Sequence, residues 1–204
     1  AGIDLHAGGA SAKYVNTTFL CACEDVEVFR KSFDLAKAFN APYVYVVDGR
    51  GSPTGFDPAA HAAKVPFIST ELGGGWIDRE TVEVGYRGVR NILSYLGIID
   101  MADESSSIDP MIYLDARKSE GVVYVPYEGL FEARVDIGEA VEAGQTAGIL
   151  YSLDEVDRSP TVLHFPESGV VCAKHVSARV VNGTRTYITV KAVPEQAILA
   201  PVSG

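Results

Sequence analysis

His6 and Glu71 are the two side chains of this 204-residue chain whose setting points to chemistry. Each ends an apolar run and meets glycines within a few residues. The imidazole ends Gly2-Ile3-Asp4-Leu5-His6-Ala7-Gly8-Gly9, and the carboxylate ends Pro66-Phe67-Ile68-Ser69-Thr70-Glu71-Leu72-Gly73-Gly74-Gly75. A metal-holding imidazole and a carboxylate that takes a proton from activated water are the parts of a hydrolytic site. In an open parallel sheet, ligands bind beyond the carboxyl ends of the strands, where both runs deliver their reactive group. Asp4, two residues before His6, shares its face in a regular strand and can orient the ring as a supporting carboxylate. Each residue also has a simpler reading. His6 can be a hydrogen-bonded histidine at a strand end with no metal, and Glu71 a surface carboxylate at a strand exit. The glycines after Glu71 lack both GxGxxG spacing and a following lysine, so they make a poor phosphate cradle.

A zinc site that activates water wants about three protein ligands and one open position. His6 is the one good candidate. His61 lies among alanines in a helical turn, while His164 and His175 fall in a β-rich part; all three read as structural or exposed. Cys21-Ala22-Cys23 has no second pair nearby and reads as small buried hydrophobes. Three cysteines in all argue against a disulfide scaffold and for a reducing cytoplasm. A formal net charge of −10 argues against nucleic acid as a partner. No apolar run approaches the roughly 20 residues that span a bilayer, so a soluble protein is expected.

The elements that must position these groups follow from periodicity. Residues 3–6 read as a strand, with an irregular stretch through Asn16. Val26, Phe29, Phe33 and Ala36 fall at helical spacing, predicting a helix over 25–39. Residues 43–47 form a strand, 51–58 a Gly/Pro loop and 65–72 another strand. Asp78 caps a helix that runs to about Leu96, with Ile77 and Val82 as a hydrophobic staple and Gly97 as its stop. This alternation predicts an α/β sheet with parallel pairs, three strands wide. The polar, serine-rich segment 100–109 reads as a linker. Beyond Pro110 the pattern is all-β, with strands at 111–116, 122–125, 130–135, 147–150, 170–173 and 187–191. Pro126-Tyr127-Glu128-Gly129-Leu130 is echoed by Pro166-Glu167-Ser168-Gly169-Val170, and the turn Glu142-Ala143-Gly144 by Val181-Asn182-Gly183. Two related half-units suggest a small barrel or sandwich with approximate twofold symmetry. The division expected is therefore 1–109 and 110–204.

Together, Ile3-Asp4-Leu5-His6-Ala7-Gly8-Gly9, Thr70-Glu71-Leu72-Gly73-Gly74 and Gly138-Glu139-Ala140-Val141-Glu142-Ala143-Gly144-Gln145 resemble segments of the succinylglutamate desuccinylase/aspartoacylase family. That family is a branch of the zinc carboxypeptidase-like amidohydrolases. The resemblance implies an α/β fold: a partial zinc-carboxypeptidase-like sheet with flanking helices, followed by an all-β barrel-sandwich-like domain. It implies Zn2+ as cofactor, His6 as a zinc ligand and Glu71 as general base and then acid. The substrate would be an N-acylated amino acid or diamine. The β domain would cover the mouth of the site or join subunits of a homo-oligomer. One departure is large. The family's HxxE motif, which supplies two further zinc ligands, lies upstream of the Asp-Leu-His segment, and nothing precedes that segment here. The chain opens without methionine inside a strand-like run, so the expectation is that the upstream half is missing. These 204 residues by themselves would then bind zinc poorly and turn over nothing. The competing reading is a biotinyl/lipoyl-like carrier or adaptor module without catalysis. Against a swinging arm, Asp157-Arg158-Ser159-Pro160-Thr161-Val162-Leu163-His164 offers no lysine to modify.

Overall fold

In the computed structural model, which describes residues 1–49, 55–76, 78–100, 110–118, 120–155 and 157–200, strands and helices alternate first. The order is β1 (Gly2–Asp4), β2 (Ala12–Tyr14), β3 (Thr17–Ala22), α1 (Val26–Phe39), β4 (Tyr43–Asp48), α2 (Phe56–Ala62), β5 (Phe67–Glu71) and α3 (Arg79–Tyr95). Local chemistry sets the helix ends. The Asp25 carboxylate accepts the backbone N–H groups of Glu27 and Val28, both at 3.1 Å, and so starts α1. Asn40 ends it in the left-handed conformation at φ 62°. Asp78 accepts from the Thr81 N–H at 2.8 Å and starts α3. The staple expected for α3 involves Ile77, outside the described residues, and Val82 is exposed. The apolar stripe of α1, with Phe29, Phe33, Ala36 and Phe39, is buried with Leu20, Val44, Val46 and Ile68 of the sheet and Ile92 of α3.

The sheet is wider than the sequence predicts. It has six strands in the order β1-β5-β3-β4-β6-β15, where β6 is Ile112–Ala116 and β15 is Ala192–Val193. Pairs β1/β5, β3/β4 and β4/β6 are parallel; β3/β5 and β6/β15 are antiparallel. Two strands of this sheet were missed in the sequence, the two-residue β15 and β3, which opens on Thr17-Thr18 and so lacks a clear apolar run, although both threonines are fully buried. The first strand ends at Asp4 rather than His6, because the His6 backbone turns to the Thr70 hydroxyl. The loop expected at 51–58 gives way to α2 from Phe56, and residues 50–54 lie outside the described set. The expected linker at 100–109 also lies outside it, apart from Asp100.

The remaining strands are β7 (Gly121–Tyr124), β8 (Gly129–Ala133), β9 (Ala140–Val141), β10 (Thr146–Ser152), β11 (Thr161–His164), β12 (Gly169–His175), β13 (Arg179–Val180) and β14 (Arg185–Val190); a short helix, α4 (Glu195–Leu199), follows β15. One sheet runs β11-β10-β8-β13 and the other β2-β12-β14-β7, with β9 also on β12. The sequence repeat is a structural one. The series β7-β8-β9-β10 corresponds strand for strand to β11-β12-β13-β14, and the two halves pair reciprocally. Gly129 opposes Val180, as Gly169 opposes Val141. Gly144 and Gly183 make the equivalent turns at φ 83° and 82°, a conformation that favours glycine. The apolar residues between these sheets, among them Phe131, Leu150, Phe165 and Tyr187, form their own cluster.

A third cluster joins the two assemblies: Val15, Tyr45 and Leu114 on one side, Cys172, Ala173, Ile188 and Val190 on the other. Hydrogen bonding crosses position 109/110 both ways, since β6 and β15 complete the first sheet while β2 joins the second. The result is a mixed α/β fold with several sheets and few helices. Among the described residues, no helix is long and apolar enough to cross a membrane.

Candidate functional site

Parallel pairing of β1 with β5 puts Asp4 opposite Ser69. Side chains alternate along a strand, so Asp4, Ser69 and Glu71 lie on one face. Just past β1, the His6 backbone is clamped from both sides. Its N–H donates to Thr70 Oγ1 and its carbonyl accepts from that hydroxyl, both at 3.0 Å, and also accepts the Leu72 N–H at 3.0 Å. This clamp sets the imidazole beside the end of β5.

The three residues expected from the sequence meet at this point. His6 Nδ1 lies 3.6 Å from Asp4 Oδ2, and the ring is 62% exposed. Glu71 is half-buried, and its Oε2 is buried with no hydrogen-bond partner among the described residues. Burial pushes the Glu71 carboxyl above its usual range; His6 draws it down and Asp4 pushes it up, so both lie within electrostatic reach. A buried acceptor left without a donor is costly, and native proteins keep few of them. Such a group suits a carboxylate that collects a proton.

Glycines let other segments close in. Tyr14 donates its backbone N–H to the Gly73 carbonyl at 2.9 Å. A Cβ on Gly8 would come within 2.2 Å of the Ala12 carbonyl oxygen and 3.0 Å of the Tyr14 ring. A Cβ on Gly74, at φ 127°, would meet the same carbonyl oxygen at 2.1 Å. The glycines flanking both reactive residues therefore permit β2 to thread between them. This brings in a residue the sequence did not single out. Burial, and after it the Glu71 charge, push the Tyr14 phenol up to about 12, so it stays a proton donor at neutral pH. Its one signal in the sequence was an aromatic within Ala12-Lys13-Tyr14-Val15.

The other histidines lie elsewhere. His61, on α2, is half-buried, its Nε2 has no hydrogen-bond partner among the described residues, and burial lowers its pKa against the pull of Asp57. His164 Nδ1 contacts the Gly144 carbonyl at 3.0 Å and His175 Nδ1 the Ser177 carbonyl at 2.9 Å. Burial and Asp57 push the Cys21 thiol up to about 12, away from the thiolate a metal would need. Among the described residues, no group of three or more His, Cys, Asp or Glu could hold a metal ion.

Comparison with known proteins adds the following. Residues 1–96 match the family model of the succinylglutamate desuccinylase/aspartoacylase catalytic domain. Over 182 residues the chain is 29% identical to N-alpha-acetyl-L-2,4-diaminobutyric acid deacetylase of Halomonas elongata, covering 89% of this chain and 53% of that protein. The product-bound structure of the ectoine utilization protein EutE from Ruegeria pomeroyi superposes with a TM-score of 0.85 at 25% identity, covering 93% of this chain and 57% of that one. A succinylglutamate desuccinylase from Silicibacter sp. TM1040 gives a TM-score of 0.85 at 26% identity, over 94% and 57%. The chain thus spans about half the length of the relatives it matches.

Proposed function

From the premise that this chain belongs to the succinylglutamate desuccinylase/aspartoacylase family, we propose that it supplies half of the active site of a zinc-dependent deacylase. The reaction is hydrolysis of the amide bond of an N-acyl amino acid or N-acyl diamine. The observation that carries this reading is the buried Oε2 of Glu71, without a hydrogen-bond partner among the described residues and within electrostatic reach of His6. The donor set fits one corner of a metal site. His6 offers an imidazole whose Nδ1 faces Asp4, which leaves Nε2 as the ligand atom. A zinc ion held there, with the remaining ligands from an HxxE segment as the resemblance implies, would polarise the amide carbonyl and acidify water. Glu71 takes the proton of the attacking water on Oε2 and returns it to the departing amine, and its raised pKa suits both transfers. Asp4 fixes the imidazole, and the Thr70 clamp fixes the backbone that carries it. We read the paired β sheets as a barrel-sandwich-like domain that walls the mouth of the site, with β2 as the stitch.

The test uses a polypeptide that carries the family's HxxE motif ahead of Gly2. Glu71→Gln is expected to lower kcat/KM by about 10²-fold or more while zinc content is retained. His6→Ala is expected to lose zinc by elemental analysis. A Glu71→Gln rate within tenfold of wild type, or unchanged zinc in His6→Ala, overturns these roles.

A further inference from the structure

The two half-units of the β part are equivalent in fold but not in what covers them. In β12 and β14, Cys172, Ile188 and Val190 point away from the core between the paired sheets and are buried with Tyr45 and Leu114 of the α/β sheet. Their counterparts lie in β8 and β10, and the registers agree. Tyr151 opposes Leu130 as Val190 opposes Val170, and Ile149 opposes Glu132 as Ile188 opposes Ala173, just past a bulge at Cys172. Side chains alternate along a strand, and Phe131 and Leu150 belong to the core between the sheets, so Leu130, Ile149 and Tyr151 face outward. Val162 of β11 joins them through its pairing with Ile149. These positions stay open to solvent: Val162 is 47% exposed, Leu130 42% and Tyr151 38%, against 6% for Ile188 and 2% for Val190. Single exposed apolar residues are ordinary, but four side by side on one sheet face mark a contact surface.

Charge decides what can cover this face. Glu132 pairs with Arg134 at 2.9 Å and also accepts the Tyr151 hydroxyl at 2.9 Å. Arg179, which opposes Leu130, pairs with Glu128 at 2.8 Å. These pairs leave the face neutral, on a chain of net charge −10. Two copies repel through their net charge, and a neutral face is where they approach at least cost, with no ion stranded when it is covered. A partner recognised by its charge would need an uncompensated patch, which these pairs remove. The equivalent face of the other half-unit already seats a sheet, so the shape suits sheet-on-sheet packing. Its size is modest. Four strands about 4.8 Å apart, each about five residues long at 3.4 Å, make a plane of roughly 19 by 17 Å, well short of the ~800 Å² per partner of a tight complex.

We propose that the outer face of the β11-β10-β8-β13 sheet is a self-association surface, through which two copies of this chain pack sheet against sheet as a weak isologous dimer. This surface does not involve His6 or Glu71, so it holds whether or not the deacylase reading does.

Sedimentation velocity of the 204-residue chain is expected to show a monomer–dimer equilibrium with a Kd on the order of 10 to 100 µM. Leu130→Lys/Tyr151→Lys and Leu130→Glu/Tyr151→Glu are each expected to weaken association about tenfold or more, with circular dichroism unchanged because both side chains are exposed. An equimolar mixture of the two is expected to associate better than either alone, since opposite charges then meet across the interface. Val162→Lys places the same charge on the neighbouring strand and keeps the test decisive if a double variant fails to fold. Tyr86→Lys, on the exposed side of α3, is the control and is expected to leave the dimer intact. Wild type that stays monomeric well above that Kd overturns the proposal. So does a dimer that the folded charged variants keep, a mixture no better associated than its components, or loss of the dimer in Tyr86→Lys.

Discussion

Glu71 carries a consequence that can be measured without activity. Burial holds its carboxyl protonated to a higher pH in the folded chain than in the unfolded one. Between the ordinary glutamate value and the raised one, the folded state binds more protons, so stability falls as pH rises through that window. Glu71→Gln removes the penalty while keeping the shape. The expected outcome is a variant that melts above wild type at pH 8, with the gap closing toward pH 4. A gap that is the same at both pH values would show that the carboxyl is not desolvated. His6 and Glu71 were legible in the sequence because each breaks a run of apolar residues and is followed by glycines, a pattern that packing does not require. Tyr14 was not, since nothing local distinguishes it from an ordinary aromatic.

Helices α1 and α3 were read most faithfully, because their starts and stops are written in neighbouring residues: Asp25 and Asp78 at the N-caps, Asn40 and Gly97 at the ends. What fixes α3 against α1 is less visible. Gly88 lies against the ring of Phe39, where a Cβ would come within 2.3 to 2.5 Å of three ring carbons. Phe39 is fully buried and has nowhere to retreat. Gly88→Ala is therefore expected to destabilise the chain by about 1–3 kcal/mol or more, despite alanine's better helix propensity. Urea denaturation checks this, and a neutral or stabilising result would mean that the two helices separate easily. In the sequence, a glycine in mid-helix reads as a weakness; the contact that requires it comes from a residue 49 positions earlier. Strand β3 was lost for a related reason, since its buried threonines owe their place to neighbouring strands.

Over the whole molecule, strands are exchanged between the α/β sheet and the paired β sheets, and a shared apolar cluster is built from both. A split at 109/110 into separately stable units would leave β6 and β15 without a sheet and strip β2 from β12. Denaturation followed by Trp76 fluorescence and by far-UV circular dichroism is expected to give coincident, single transitions. Two resolved transitions would favour independent halves. The reciprocal half-units of the β part were foreseen from Pro126-Tyr127-Glu128-Gly129 and Pro166-Glu167-Ser168-Gly169, because each tetrapeptide opens an equivalent strand.

The sequence by itself determined helices α1 and α3, the twofold character of the β part and the pair of reactive groups that deserve study. These depend on spacing, capping and turn residues, whose physics acts over a few neighbours. Tertiary structure decided that Asp4, His6 and Glu71 come within electrostatic reach of one another at the strand ends, and that the Tyr14 phenol lies within reach of Glu71. Desolvation and Coulomb interaction depend on which distant segments are brought within a few ångströms, and no local pattern encodes that distance.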